Sequence, residues 1–158
     1  MSSPDDGTKQ DVMNRDERLL AAIAHGSAVF NFSLFGMIIP LRIYWGAKAQ
    51  SKNLAFHAVQ AFLYNAVVML FMISFFMLLL LILVFSGLAF ELSLADILSI
   101  PMCSNFPLMF IYMVSFWHIF AGLPLGAAIS VIQGKEFRYP LIGWLAERWV
   151  EARIPQKK

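Results

Sequence analysis

Cysteine is nearly absent: Cys103 stands alone in 158 residues. One thiol forms no internal disulfide and no multi-cysteine metal site, which removes structural zinc and dithiol redox chemistry from the functions open to the chain. Read by itself, Cys103 is a small apolar filler. Charge is scarce as well, at 14% of residues, and it is missing from three whole stretches: Leu19 to Leu41, Asn53 to Phe90 and Pro107 to Ile132 hold no Asp, Glu, Lys or Arg. Proton pumps and ion-coupled transporters usually carry a buried charge in their spans, so those classes recede. Also missing are GxSxG, HExxH, a phosphate-cradling glycine loop and paired carboxylates, so no enzyme, cofactor or metal site is expected. The net charge of +2 gives little attraction for nucleic acid, and the basic residues flank apolar stretches, where membrane topology accounts for them.

What is present in abundance is apolar surface, 59% of residues, with a mean hydropathy of +0.69. A hydrocarbon core of about 30 Å takes roughly 20 apolar residues in helix, and the charge-free run from Asn53 to Phe90 exceeds that with room for tilt. Only a helix or a closed barrel satisfies its own backbone in lipid, and the run lacks the alternation of a barrel strand. The pattern predicts a transmembrane helix over 54–86, with Ser51 or Asn53 as its N-cap, and a second over 107–133. Pro124 deprives the second helix of one backbone bond and predicts a bend near Phe120.

Residues 1–18 are polar and mixed in charge and read as a disordered tail. Their acidic character matches neither a secretory leader nor an organelle transit peptide. The apolar stretch that follows is a poor single span, because Gly36 and Pro40 interrupt it; the reading is a hairpin over 19–47, with one arm to about Leu34, a bend, and a short arm through Trp45. A hairpin keeps all 12 Lys and Arg on one face of the membrane, whereas a single span leaves Lys9, Arg15 and Arg18 on the other. The positive-inside rule therefore favours the hairpin, with both termini cytoplasmic. The loop over 87–105 contains Glu91 and Asp96 but no base and is assigned to the far side, with Phe90, Leu94, Ile97 and Leu98 as one side of a short interfacial helix. Residues 140–154 read as an amphipathic helix on the membrane surface, starting at Pro140, with Leu141, Ile142, Leu145, Trp149 and Val150 toward one side; 155–158 are a basic tail.

Polar residues inside apolar runs are the candidates for function. His25 and His57 lie at similar depth near the cytoplasmic flank and are expected to meet, with Gln60 one turn along as a third member of a hydrogen-bonded structural cluster. His118 lies about 22 Å above Gln133, too deep to share a haem iron with His57. Ser115, His118, Gly122, Gly126, Ser130 and Gln133 recur at spacings of three and four, which makes a small, polar face suited to close packing against another helix, the long one first.

Four fragments, in order, carry a resemblance: Glu17-Arg18-Leu19-Leu20-Ala21-Ala22-Ile23-Ala24-His25, the Gly36 to Leu41 turn, Phe56-His57-Ala58-Val59-Gln60-Ala61, and Arg138-Tyr139-Pro140-Leu141-Ile142-Gly143. Over roughly Arg15 to Ala146 the chain resembles small bacterial membrane proteins of a domain-of-unknown-function family, which is similar to the twenty-kilodalton channel subunit of the chloroplast inner-envelope protein translocon. That resemblance implies an α-helical fold in the bacterial inner membrane and a distant link to protein translocation.

The sequence thus leads to an all-α integral membrane protein built from a single membrane domain over 19–154: N-terminal hydrophobic hairpin, two long transmembrane helices and a C-terminal interfacial helix. Its expected partners are the lipid bilayer and either a membrane protein or a second copy of itself. The expected role is a non-enzymatic packing or assembly subunit, possible relation to translocation resting on the resemblance; the alternatives are an oligomeric small channel or transporter, or a membrane sensor using His25 and His57.

Overall fold

A computed structural model of the chain describes residues 13–30, 34–89, 93, 95 and 106–154. The expectations for residues 1–12 and 155–158, for the short interfacial helix and for Cys103 fall on residues outside that description. The described elements are helical: α1 (Arg15–Gly26), a 3-10 turn (Ser27–Phe30), α2 (Phe35–Ala47), α3 (Lys52–Ala89), α4 (Phe106–Ile132) and α5 (Ile142–Arg153).

Each boundary has a local cause. α1 begins at Arg15, four residues inside the expected tail, because Asn14 and Glu17 form a reciprocal capping box: the Glu17 N–H donates to Asn14 Oδ1 at 2.9 Å and the Asn14 N–H to Glu17 Oε2 at 2.8 Å. Ser51 caps α3, its Oγ accepting the Leu54 N–H at 3.3 Å. α4 ends in a Schellman motif, with the Lys135 N–H on the Ser130 carbonyl and the Gly134 N–H on that of Val131. Gly134 sits there at φ 78°, and the space a Cβ would take is filled by the Arg18 guanidinium, 2.6 Å away. α5 starts later than Pro140: the Ile142 N–H bonds the Pro140 carbonyl at 2.7 Å, closing a γ-turn around Leu141 at φ 65°.

The hairpin breaks in a different place from the one expected. α1 stops at Gly26, where Ser27 Oγ donates back to the Ala24 carbonyl at 2.7 Å, and α2 runs unbroken through Gly36 and Pro40. Pro40 has no N–H for the carbonyl of Gly36, four residues back. Asn65 Nδ2 donates to that carbonyl instead, with Ser27 Oγ, whose one hydrogen goes to Ala24, 3.2 Å from it, so the helix keeps its course through the proline.

α2 packs on α3, α1 packs on both α3 and α4, and α5 lies against the first turns of α3. The hairpin therefore stands between the two long helices. The contact surfaces are rich in small residues, Ala21, Ala55, Ala58, Ala146 and Val150 beside Tyr44 and Leu54 in one cluster and Ala28, Ala127 and Val68 beside Tyr64 and Tyr139 in another, which lets helix axes approach closely. α3 and α4 meet through aromatic rings, Phe71 stacking on Phe116 with centroids 5.6 Å apart. Lys52–Leu78 and Val114–Ile132 are each long and apolar enough to cross a membrane. Beyond Met72, the large apolar side chains of α3 that are described face outward, a surface that hydrocarbon accepts and water does not.

Pro124 repeats the pattern of Pro40. It frees the carbonyl of Phe120, and Tyr64 Oη donates to that carbonyl at 2.6 Å. Tyr64→Phe should therefore cost on the order of 1 to 3 kcal/mol in detergent unfolding, the penalty of an orphaned buried carbonyl. In a Pro124→Ala background, where residue 124 has its own N–H for Phe120, the same change should cost clearly less. Equal costs in the two backgrounds would show that the hydroxyl does not serve the freed carbonyl.

Candidate functional site: a buried polar ladder on the long helix

α3 carries the polar side chains of the interior. His57, Gln60 and Tyr64 follow one another at helical spacing, Asn65 stands beside Tyr64, and all four are buried. Each reaches a different neighbour, and together they tie the hairpin, α4 and the turn before α5 to one helix.

At the foot of the ladder His25 Nε2 lies 3.2 Å from His57 Nδ1, the rings meeting edge-on with centroids 5.4 Å apart. His25 Nδ1 lies 3.3 Å from the Tyr139 hydroxyl, and Tyr139 stacks on Tyr64 at 4.7 Å. Gln60 touches neither imidazole in a hydrogen bond. Its Nε2 donates to the Phe137 carbonyl at 3.3 Å, while its Oε1 has no partner among the described residues. The third member of the cluster is thus Tyr139 rather than Gln60, because the segment 137–139 passes beside α3 and takes up both the amide and the second imidazole nitrogen. Tyr139 had a sequence signal, the Arg138-Tyr139-Pro140 motif, but nothing in the sequence placed that motif against His25.

The hydrogens can be assigned with both imidazoles neutral. Burial above all, with Tyr64 alongside, pushes the Tyr139 hydroxyl well above the ordinary tyrosine range, so it keeps its proton and must place it. Donation to His25 Nδ1 makes His25 Nε2 the donor to His57 Nδ1, and His57 then carries its own hydrogen on Nε2. The reverse direction strands the Tyr139 hydrogen in a buried position, at a cost of about 1 to 3 kcal/mol.

Higher on the ladder, Asn65 serves the hairpin through Gly36 and Ser27 and Tyr64 serves α4 through Phe120. Asn65 is one of the polar residues inside an apolar run, to which the sequence assigned no partner, and Tyr64 was not singled out. The signal was the pair of prolines, each implying a carbonyl in need of a donor.

The small-residue stripe lies elsewhere. Ser115, Gly122, Gly126 and Gln133 are exposed, Ser130 is half-buried, and the side chain of His118 lies outside the description. A Cβ built on Gly122 or Gly126 meets nothing within 4 Å. The face of α4 that packs inside the chain is Ala121, Pro124, Ala127, Ala128 and Val131. The expectation that the stripe packs on the long helix is corrected accordingly: alanines gave α1 a close approach on the adjoining face, and the hairpin occupies the space between α3 and α4.

Beside His57 a cavity of about 260 Å³ opens between the starts of α1 and α3, the turn 134–138 and α5. Among the described residues no group of three or more His, Cys, Asp or Glu is placed to hold a metal ion.

The family model described as the magnetosome magnetite crystal formation protein family matches residues 16–146. The chain belongs to that family. The matched region runs from the first turn of α1 into α5, so the whole polar ladder, including Tyr139, lies within it. Membership and the two candidate spans place the protein in a membrane. The match agrees with a small membrane-protein family and shows no likeness to a translocon subunit. Neither a curated protein nor a solved structure gives a match to the chain.

Tyr139→Phe and His57→Ala each remove one link of the Tyr139–His25–His57 chain. Each should lower detergent stability by about 0.5 to 2 kcal/mol, and the double variant should fall short of the sum by about 0.5 to 1 kcal/mol. Additivity within error would mean that the three side chains do not act as a connected unit.

Proposed function

We propose that this member of the magnetosome magnetite crystal formation family is a non-enzymatic subunit of the magnetosome membrane, acting in crystal formation by assembling with further copies or with another membrane protein. The observation that carries this reading is the free face of α4. The chain's own helices are held by alanines and by the polar ladder, which leaves Gly122 and Gly126 with open space at close-packing positions and Ser115 exposed on the same face. In this reading His25 and His57 are structural: they hold the hairpin onto α3, and the hairpin in turn spaces α3 from α4.

The proposed topology places the chain in a bacterial membrane of inner-membrane type, multi-pass, with both termini cytoplasmic. Its support is the distribution of Lys and Arg, all 12 of which fall on one side of a hairpin arrangement. An impermeant thiol reagent applied to intact cells should modify Cys103; modification only after the membrane is opened contradicts the orientation. The channel and translocation readings have less behind them. The ladder from His57 to Asn65 covers about 12 Å of helix, under half of a hydrocarbon core, and gives no polar path between faces. The sensor reading is distinguished by stoichiometric metal in the purified protein that both His25→Ala and His57→Ala abolish.

Assembly is tested with Gly126→Leu. In magnetosome-forming cells the native chain should be recovered from the magnetosome membrane in a detergent-stable assembly. The variant should give smaller species and altered crystals, while its own unfolding changes by less than about 0.5 kcal/mol, since the new side chain enters open space. Normal assembly by Gly126→Leu would contradict the proposal.

A further inference from the structure

The cavity beside His57 is the feature of the molecule that neither the fold nor the assembly reading uses. It lies at the end of the bundle where α3 begins and α4 ends, the end that also carries the exposed Trp45 and Trp144, and such rings are enriched at membrane–water interfaces. Four cations line it, Arg18, Lys52, Lys135 and Arg138, against two carboxylates, Glu136 and Glu147. Glu147 pairs with Arg138 at 3.4 Å, and both of those side chains are about half exposed, so the pair is weak. Among the described residues no carboxylate forms an ion pair with Arg18, Lys52 or Lys135.

The fold positions the Arg18 guanidinium and the backbone that carries Lys135. Arg18 Nε donates to the Met13 carbonyl at 3.0 Å, and its guanidinium lies over Gly134, in the space only a glycine leaves. Lys135 follows directly as the closing residue of the Schellman motif. The deepest wall is His57, which is 96% buried. Its Nδ1 accepts from His25, and the hydrogen assignment leaves Nε2–H as the one donor of the Tyr139–His25–His57 chain without a partner among the described residues. Cations and the imidazole of an otherwise buried histidine line one space, with Met13, Phe56 and Val150 as apolar wall beside them.

We propose that this cavity binds a phosphate group, with Arg18, Lys52, Lys135 and Arg138 supplying charge and His57 Nε2–H a directed hydrogen bond. An excess of positive charge rejects free metal cations, iron included, and favours an oxyanion with several acceptor oxygens. Two sources offer that chemistry at this position: the headgroup of an anionic phospholipid, as in other basic pockets at helix ends, and soluble phosphate. Occupancy at His57 Nε2 bears on the ladder directly, since it fixes the hydrogen-bond direction of the chain that holds the hairpin.

The experiment uses the full chain in a nonionic detergent, titrated at constant ionic strength with dioctanoyl phosphatidylglycerol, dioctanoyl phosphatidylcholine or inorganic phosphate, following the melting temperature and the His57 nitrogen NMR signals. A saturable rise with phosphatidylglycerol, well above that with phosphatidylcholine and absent with phosphate, supports a lipid headgroup site. An equal rise with inorganic phosphate supports the same site with a soluble ligand. Lys135→Gln and Arg18→Gln should each weaken the apparent affinity about fivefold, the equivalent of about 1 kcal/mol per cation. Arg148→Gln makes the same change of charge on a residue stacked on Trp144 outside the cavity and should leave it unchanged. The His57 Nε2 resonance should move on binding in the native chain. Lack of saturation with all three ligands, a static Nε2 resonance, or an Arg148→Gln loss as large as that of Lys135→Gln would overturn the assignment.

Discussion

A carbonyl released by proline inside an apolar helix must find another donor, and in hydrocarbon water is not there to supply it. Two prolines set that requirement here. Pro40 frees Gly36 in α2 and Pro124 frees Phe120 in α4, and adjacent residues of α3, Asn65 and Tyr64, answer them. The tertiary arrangement follows from those two bonds. α2 is tied to α3 at one, α4 at the other, and α1 fills the gap with its alanines and with His25. The polar ladder therefore stands where a soluble protein relies on burying large apolar side chains. In this chain those side chains are mostly turned outward, and the interior is made of small residues and hydrogen bonds.

This arrangement also bears on function. A protein whose large apolar residues face lipid and whose interior is tied by short polar contacts presents a fixed outer surface, including the glycine-bearing face of α4. The chain belongs to the magnetosome magnetite crystal formation family, and the proposed function gives that surface its role. Assembly within the membrane is the role proposed for that surface, and it rests on the open glycine positions of α4.

Much of the fold could be read from the sequence, because its signals are long runs or local rules. The charge-free run from Asn53 and the one from Pro107 are each long enough to be helices whatever surrounds them, and the polar start of α3 at Ser51 is a one-residue signal. The break in the hairpin was harder to read, since Gly36 and Pro40 break a helix only if the freed carbonyl stays unserved, and the donor that serves it, Asn65, is 29 residues away. Long-range partners of this kind leave no periodic trace. The same holds at the foot of the ladder: matching depth brought His25 and His57 together on paper, but the choice between Gln60 and Tyr139 as their companion depends on where the segment 137–139 passes. The stripe on α4 was expected to pack on the long helix, yet its glycines face open space; which face of α4 is covered depends on the hairpin's position, which the stripe itself does not encode.

The central claim is that a side chain of α3 bonds the carbonyl that Pro124 frees. Isotope-edited infrared spectroscopy reads it most directly, with a single heavy-isotope carbonyl at Phe120 in the lipid-reconstituted chain. The account predicts a low, hydrogen-bonded amide I frequency in the native protein that moves up, toward that of an unbonded carbonyl, in Tyr64→Phe. A native band already at the unbonded position, or one that does not move in Tyr64→Phe, would contradict it.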